Sequence, residues 1–233
     1  MERILSLGAI LFSYLVGSIP FGLVIVRLST GRDIRDVESG RTGGTNAMRA
    51  AGFWAGLATA ILDLLKSATS VWLVRYLASH GFVSPSPWLE AVAPIAAIFG
   101  HNYSIFLSEK DASGRLRLRG GAGGAPTAGG AFGLWPPSLL FIVPVAVLLL
   151  FGIGYASVAT LSIGLVTLFV FAYRAWAGSS PWQFILYGVF AEILLAWALR
   201  PNIQRLINGT ERLVGLRARK KNKPASSSAQ DSG

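Results

Sequence analysis

Residues 4–26 read ILSLGAILFSYLVGSIPFGLVIV, an uncharged stretch of 23 residues near the amino terminus. A membrane-spanning helix needs about 20 consecutive apolar residues. The stretch is longer than the apolar core of a secretion signal, contains Pro20, and continues into a polar loop instead of the small residues of a cleavage site. We therefore interpret it as the first of several membrane spans.

The composition of the whole chain is that of a membrane protein. Of its 233 residues, 52% are hydrophobic and 14% are charged, and the mean hydropathy is +0.53, which does not describe a water-soluble domain. Cysteine is absent and histidine occurs twice, which excludes a disulfide framework or thiolate site and argues against a histidine-rich metal centre. We therefore expect no metal and no cofactor.

Six further apolar segments follow the first. They cover residues 53–74, 88–107, 121–134, 138–155, 157–173 and 181–199. The segment 121–134 is short, because a helix rises about 1.5 Å per residue and would cover only roughly 20 Å of a hydrocarbon core about 30 Å thick. By length alone it is either a crossing or a half-span.

Basic residues decide between these alternatives. They cluster at residues 27–49, 110–119 and 200–223, whereas the loops at 80–87, 135–137 and 178–180 contain no Lys or Arg. The positive-inside rule puts all three clusters in the cytoplasm, and the last one returns there only if the segment 121–134 crosses. The sequence therefore predicts an all-α integral membrane protein of about seven transmembrane helices, with its N-terminus outside and its C-terminus in the cytoplasm.

The C-terminal residues differ in composition from the rest. We interpret residues 1–213 as one polytopic membrane domain and residues 214–233 as a basic, polar cytoplasmic tail that is expected to be disordered. The net charge of +10 lies in loops beside apolar spans. Attraction to anionic lipid headgroups, about 1 kcal/mol per basic residue, explains this charge more simply than nucleic acid does. Membrane lipids are therefore expected partners, and nucleic acid is not.

Three polar stretches on the predicted cytoplasmic side contain candidate site residues. Residues 39–49 read SGRTGGTNAMR, residues 119–127 read RGGAGGAPT, and residues 199–211 read LRPNIQRLINGTE. In the first stretch, glycines among hydroxyl and amide side chains let backbone N–H groups converge on an anion, and Arg49 is placed to close such a site with a charge-assisted contact. The alternatives are a glycine-rich turn in the first stretch and close helix packing in the second.

Two charged residues lie inside a predicted span. Asp63 and Lys66 are one helical turn apart in the segment 53–74, where an unpaired charge would be costly. We expect them to pair with each other and to have a structural role.

Taken in order, these motifs resemble the bacterial acyl-phosphate:glycerol-3-phosphate acyltransferase family. Further matching motifs are GSIPFG at 17–22, DLLK at 63–66, GHN at 100–102 and YAS at 155–157. The resemblance implies a seven-span fold that transfers an acyl group from acyl phosphate to glycerol 3-phosphate. The product would be 1-acylglycerol 3-phosphate (lysophosphatidic acid), a phospholipid precursor, made without a metal at a site facing the cytoplasm in the bacterial inner membrane.

The resemblance assigns roles to individual residues. It implies catalytic roles for Ser39, Arg49 and Asn202 and a structural role for Glu211. It implies substrate or phosphate binding by Gly40, Gly43, Gly44, Thr45, Asn46, His101, Asn102, Arg119, Gly120, Gly121, Gly123 and Arg200. The family lacks a conventional catalytic triad, so the protein is expected to act by positioning and by electrostatic stabilisation of the carbonyl oxygen.

The chain departs from the family pattern at four positions. Ala122 replaces a lysine of the second motif, Leu199 and Pro201 replace a histidine and a glutamate of the third, and Arg41 replaces an asparagine of the first. One hypothesis is that the missing lysine charge is supplied by Arg41, Arg115, Arg117 or Arg119. The alternative functions are a non-catalytic relative that binds phosphorylated lipid or glycerol phosphate, and a transporter, which is expected to show a repeat that this sequence lacks.

Overall fold

The structure is a computed structural model that describes residues 1–110 and 113–214. Within these ranges it contains ten α-helices and two β-strands. The helices are α1 (Glu2–Ser18), α2 (Phe21–Thr30), α3 (Gly44–Ala51), α4 (Phe53–Ser79), α5 (Pro87–Asn102), α6 (Gly124–Leu134), α7 (Leu139–Gly152), α8 (Ala156–Trp176), α9 (Gln183–Ala198) and α10 (Arg200–Ile207). The strands are β1 (Ser104–Lys110) and β2 (Leu116–Arg119). Of the predicted tail at 214–233, only Val214 belongs to the described residues.

Three helical segments are long and apolar enough to cross a membrane. They are Glu2–Thr30, which combines α1 and α2 over 29 residues, Phe53–Ser79 with 27 residues, and Ala156–Trp176 with 21. Helices α9 and α10 pass the same test together but are bent by 67° relative to each other, and Pro136–Gly152 is apolar but shorter. The described chain therefore has three candidate spans, or four if the bent pair counts as one, and the number seven stays a prediction.

Residues 104–119 depart from the predicted all-α fold. The sequence predicts a helix over 88–107, but α5 ends at Asn102 and the chain continues as β1, which pairs antiparallel with β2. The Ser104 hydroxyl donates to the Ser18 carbonyl at 2.6 Å and fixes the start of the strand. The all-α prediction is wrong for this hairpin because a short apolar run, here Ile105 to Leu107, fits a strand as well as a helix end.

A break between α1 and α2 exposes a backbone carbonyl inside the helix assembly. Pro20 has no N–H and cannot continue the hydrogen bonding of α1. The carbonyl of Ile19, just before it, accepts a hydrogen bond from Lys66 Nζ of α4 at 3.1 Å. The break thus provides one polar partner for Lys66, a charged residue that is buried among the helices.

Small residues allow the helices to approach closely. A Cβ added to Gly17 of α1 would lie 2.2 Å from the carbonyl oxygen of Ala97 in α5, and one added to Gly129 of α6 would lie 1.9 Å from that of Leu64 in α4. Such distances require glycine at both contacts, as in other membrane helix packings. This packing sets α6 against α4 and brings the starts of α3, α6 and α8 to one place.

Candidate active site

One cavity of about 440 Å³ lies where the N-terminal ends of three helices meet. Its walls include the first residues of α3, α6 and α8, which are Gly44, Gly124 and Ala156. The first N–H groups of a helix have no partner within the helix, and the helix dipole gives this end a partial positive charge. Three such ends around one cavity favour the binding of anions.

Four arginine side chains line the same cavity. Two are paired with carboxylates, since Arg205 Nε lies 3.1 Å from Glu211 Oε2 and Arg212 forms an ion pair with Glu38. The third, Arg41, donates a hydrogen bond to the carbonyl at the end of α9. The fourth, Arg49, has no side-chain hydrogen bond or ion pair to any residue within 1–110 or 113–214.

Burial makes two of these arginines receptive to an anion. Burial, and then the nearby charge of Arg205, lower the pKa of Arg41. Burial likewise lowers the pKa of Arg49, against the opposing effect of Glu211. Both guanidinium groups stay charged at neutral pH, because an arginine side chain is not deprotonated in proteins. A partly desolvated cation is stabilised by an anion beside it, so the electrostatics and the helix ends favour the same kind of ligand.

Asn46 shapes the first loop. Its buried side-chain amide donates to the backbone carbonyls of Ile34, Val37 and Arg41 at 3.1, 2.9 and 2.9 Å. These bonds fold the loop over the start of α3, with Ser39 on the cavity wall. The Ser39 side chain is exposed there and its Oγ accepts the N–H of Arg41 at 3.4 Å.

Glu211 lies in the segment after α10 and binds two side chains of that helix. Its carboxylate accepts hydrogen bonds from Asn202 Nδ2 at 2.7 Å and from Arg205 Nε at 3.1 Å, and all three residues line the cavity. The Glu211 side chain is only 5% exposed. The Glu211 carboxylate therefore holds the Asn202 amide in one orientation. This contact is compatible with the structural role that the resemblance implies for Glu211.

A buried charged cluster lies at one side of the cavity. Lys66 Nζ is 2.9 Å from Asp63 Oδ1 and 2.9 Å from His101 Nδ1, and all three residues are less than 5% exposed. An ammonium group has no lone pair, so His101 Nδ1 must accept this hydrogen bond and the imidazole proton must be on Nε2. Asp63 and His101 line the cavity, and Lys66 lies behind them as the residue that joins them.

Comparisons with known proteins identify the family. The sequence profile described as glycerol-3-phosphate acyltransferase matches residues 7–209 of the 233. The chain belongs to the glycerol-3-phosphate acyltransferase family. Family members with this name include one from Rubrobacter xylanophilus, 34% identical over 209 residues that cover 90% of this chain and 95% of the relative. Another, from Thermus thermophilus, is 34% identical over 213 residues, or 91% of this chain and 97% of the relative.

Solved structures of the family agree with the fold. The crystal structure of PlsY (YgiH), an integral membrane glycerol 3-phosphate acyltransferase in its glycerol 3-phosphate form, superposes with a TM-score of 0.72 at 31% identity, over 90% of this chain and 96% of that one. Its lysophosphatidic acid form gives the same TM-score at 29% identity. Together with the apolar helices, this similarity makes the present chain a mostly helical membrane protein.

The glycine pair of the second family motif packs against the end of α5. A Cβ added to Gly120 would lie 2.1 Å from the His101 carbonyl oxygen, and one added to Gly121 would lie 1.9 Å from His101 Nε2. The Gly121 N–H also donates to the His101 carbonyl at 2.9 Å. Both glycines thus bring the loop against His101. The next glycine, Gly123, has a φ of 96° and is the N-cap residue directly before α6, on the cavity wall.

We expect Gly121→Ala to destabilise the protein by about 1 to 3 kcal/mol, the usual cost of overpacking a filled interior. The added methyl group would overlap the His101 ring, which the cluster with Lys66 holds in place. The measurement is thermal unfolding of the purified protein in detergent. Gly8→Ala in α1 is the matched control, because nothing lies within 4 Å of its added Cβ. Equal unfolding midpoints for the two variants would contradict the proposed packing.

Several residues implied by the family motifs lie outside the cavity wall. Arg119 pairs with Glu109 at 3.1 Å on the hairpin, and Arg200 stacks on Trp197 with its guanidinium carbon 3.5 Å from the ring centroid. Asn102 Nδ2 donates to a carbonyl of α9 at 3.4 Å. In the described part of the chain, six predicted residues are not among those that line the cavity. They are Gly40, Asn102, Arg119, Gly120, Gly121 and Arg200.

The other predicted residues, except Lys66, do meet at the cavity. They are Ser39, Gly43, Gly44, Thr45, Asn46, Arg49, Asp63, His101, Gly123, Asn202 and Glu211. Ala122 also lines the wall, and of the four arginines suggested to replace the missing lysine only Arg41 does so within the described ranges.

Three further residues of the cavity wall had no role predicted from the sequence. They are Ser157, Arg205 and Arg212. The Ser157 hydroxyl is buried in the first turn of α8 and has no hydrogen-bond partner in the described part of the chain. The available signal was the place of Ser157 in the YAS motif at 155–157. Arg205 and Arg212 belong to the basic cluster at 200–223. Because basic residues are common beside the cytoplasmic end of a span, their charge gave no separate indication of a binding site.

Proposed function

We propose that this protein transfers an acyl group from acyl phosphate to the 1-hydroxyl of glycerol 3-phosphate, forming lysophosphatidic acid and inorganic phosphate. The observation that supports this most strongly is the convergence of three helix N-termini and four arginines on one cavity. Both substrates carry a phosphate, so a site for this reaction must hold two anions side by side. The family membership supports the same reaction.

The two phosphates need two binding regions. The first region contains the exposed Ser39 hydroxyl, the start of α3, and Arg49, whose side chain has no partner among the described residues. The second lies between the starts of α6 and α8, where the buried Ser157 hydroxyl lacks a partner among the described residues. We assign glycerol 3-phosphate to the first region and acyl phosphate to the second, where backbone N–H groups can bind an anion without a lysine at position 122.

The reaction is a direct acyl transfer. The glycerol hydroxyl oxygen bonds to the acyl carbonyl carbon, the bond from that carbon to the phosphate oxygen breaks, and the phosphate leaves with the hydroxyl proton. The protein positions the two substrates, and N–H groups and cations stabilise the negative charge on the carbonyl oxygen. Arg49 and Ser39 position the acceptor, and Asn202, oriented by Glu211, contributes a side-chain amide at the cavity wall.

The proposed topology has seven spans, with the N-terminus outside and the cavity facing the cytoplasm of the bacterial inner membrane. Arg41 and Arg49, which follow the first predicted span, and Arg205 and Arg212, which follow the last, all lie at the cavity. Basic residues are retained on the cytoplasmic side of a membrane. A cavity on this side would take up the phosphate groups from the cytoplasm while the acyl chain stays among the lipids.

The decisive experiment is product formation by the purified protein from palmitoyl phosphate and labelled glycerol 3-phosphate. We expect labelled lysophosphatidic acid and inorganic phosphate in a one-to-one ratio, and a large loss of both with Ser39→Ala. Release of phosphate without the labelled lipid would show hydrolysis instead of transfer. No product from the native protein, combined with turnover by Ala122→Lys, would contradict the proposal and identify a binding protein that retains the family scaffold.

A further inference from the structure

The β1–β2 hairpin has two chemically different faces. Ser108 lies opposite Leu118, and Lys110 lies opposite Leu116, so these four side chains share one face. Glu109 lies opposite Arg117 and shares the other face with it, because successive residues of a strand alternate. The first face carries both leucines of β2, and the second face carries a carboxylate and a guanidinium.

Ion pairs fix the orientation of the hairpin. Glu109 Oε1 lies 2.6 Å from Arg35 Nη1, and Glu109 Oε2 lies 3.1 Å from Arg119 Nε. Arg35 belongs to the first loop and is itself bound to Asp33 at 2.7 Å. The charged face is therefore attached to the body of the protein through the first loop. The face with the leucines is turned away from this attachment.

Large apolar side chains on the hairpin are left exposed. Leu116 is 66% exposed, Phe106 is 59% exposed and Ile105 is 49% exposed. Apolar surface costs roughly 25 cal/mol per Å² in water, so these exposed side chains indicate that the hairpin contacts an apolar environment. The strand pairing is irregular between Ser104 and Ser108, which lets the consecutive residues Ile105 and Phe106 both be exposed.

The hairpin starts where two membrane-facing helices end. Ser104 is bound to the last residue of α1 at 2.6 Å, and the Tyr14 hydroxyl of α1 donates to the Tyr103 carbonyl at 3.1 Å. The outer surface of α1 is apolar and exposed, with Leu11 59% exposed, and Phe99 in the last turn of α5 is 45% exposed. The apolar side chains of the hairpin therefore lie beside the exposed apolar surface of α1 and α5.

We infer that the hairpin lies in the membrane interface, with Ile105, Phe106 and Leu116 inserted beside the outer acyl carbons and Lys110 and Arg117 at anionic headgroups. Basic residues near such headgroups gain about 1 kcal/mol each. Aromatic and aliphatic residues combined with cations are the composition of segments that lie in the interface plane. The partner of this surface is thus a leaflet that contains anionic phospholipid, and the inference does not depend on the catalytic reaction.

The absence of cysteine allows a direct test by single-site spin labelling. Leu116→Cys, Phe106→Cys and Arg117→Cys are each labelled with a nitroxide in lipid nanodiscs that contain one-third phosphatidylglycerol. We expect the first two labels to be relaxed more by oxygen, which enters lipid, than by a water-soluble nickel chelate, and the Arg117→Cys label to show the reverse. Leu148→Cys on the exposed side of α7 and Arg32→Cys in the first loop supply the lipid and water references.

Two results would overturn the inference. Labels at Leu116→Cys and Phe106→Cys that resemble the Arg32→Cys water reference would place the hairpin outside the membrane. In nanodiscs of phosphatidylcholine alone, we expect the oxygen-to-nickel ratio at Leu116→Cys to fall at least twofold, and Lys110→Gln combined with Arg117→Gln to remove this difference between lipids. An identical ratio in both lipids would contradict the contact with anionic headgroups.

Discussion

We expect Arg49→Gln to lower kcat/KM for glycerol 3-phosphate by about ten- to a hundredfold, because the variant loses the one cavity arginine without a partner in the described ranges. A hydrogen bond to a charged group contributes about 1.5 to 3 kcal/mol, and each 1.36 kcal/mol corresponds to a factor of ten in rate. Arg205 and Arg212 are already bound to carboxylates, so they replace this charge only by breaking an ion pair. The measurement is initial rate against glycerol 3-phosphate concentration at saturating palmitoyl phosphate.

The matched control is Arg32→Gln in the same basic cluster. Arg32 is exposed and lies away from the cavity wall, so its loss changes the net charge equally without touching the site. We expect its kcat/KM to stay within twofold of that of the native protein. A similar loss in both variants would mean that overall charge attracts the substrate. Unchanged kinetics in Arg49→Gln would remove Arg49 from the proposed phosphate site.

The longest helices could be predicted from the sequence because their signal is local. The predicted segments 53–74 and 157–173 correspond to α4 and α8. In lipid the backbone N–H and C=O groups of a long apolar segment must bond to each other, and a helix satisfies all of them within the segment. The hairpin could not be predicted in this way. The apolar residues 105–107 continue directly from the segment of α5, and only the contacts of Ser104 and Glu109 with distant residues show that the helix has ended.

The site was predictable as a set of loops but not residue by residue. Glycine-rich composition indicated loops near an anion, and Gly43, Gly44 and Gly123 do lie on the cavity wall. In contrast, Gly120 and Gly121 pack against His101 and do not line the cavity. Which glycines contact another helix and which border the cavity depends on the packing of the helices, and the sequence motif does not show this packing. The same limit applies to Ser157, because the segment 157–173 also contains Ser162 and two threonines, and only the packing of the helices decides which of these hydroxyl groups line the cavity.

The expected pairing of Asp63 with Lys66 has a measurable consequence for stability. The pair is in the structure, with 2.9 Å between Lys66 Nζ and Asp63 Oδ1 and both side chains 2% exposed. We expect Lys66→Met to lower the free energy of unfolding by about 3 to 5 kcal/mol, because removing one partner leaves the other as an uncompensated buried charge. Leu65→Met, at an exposed position next to it in α4, is the control for the new side chain. The measurement is unfolding in mixed detergent micelles.

A second substitution separates the charge effect from lost packing. In Lys66→Met the carboxylate of Asp63 keeps only His101 nearby, at 3.5 Å, whereas Asp63→Asn in the same background removes the charge. Replacing both members of a buried pair is far less destabilising than removing one, so we expect the double variant to regain at least half of the lost stability. If the double variant is as unstable as Lys66→Met alone, the Lys66 contacts with the Ile19 carbonyl and His101 determine the stability of this region instead of charge pairing.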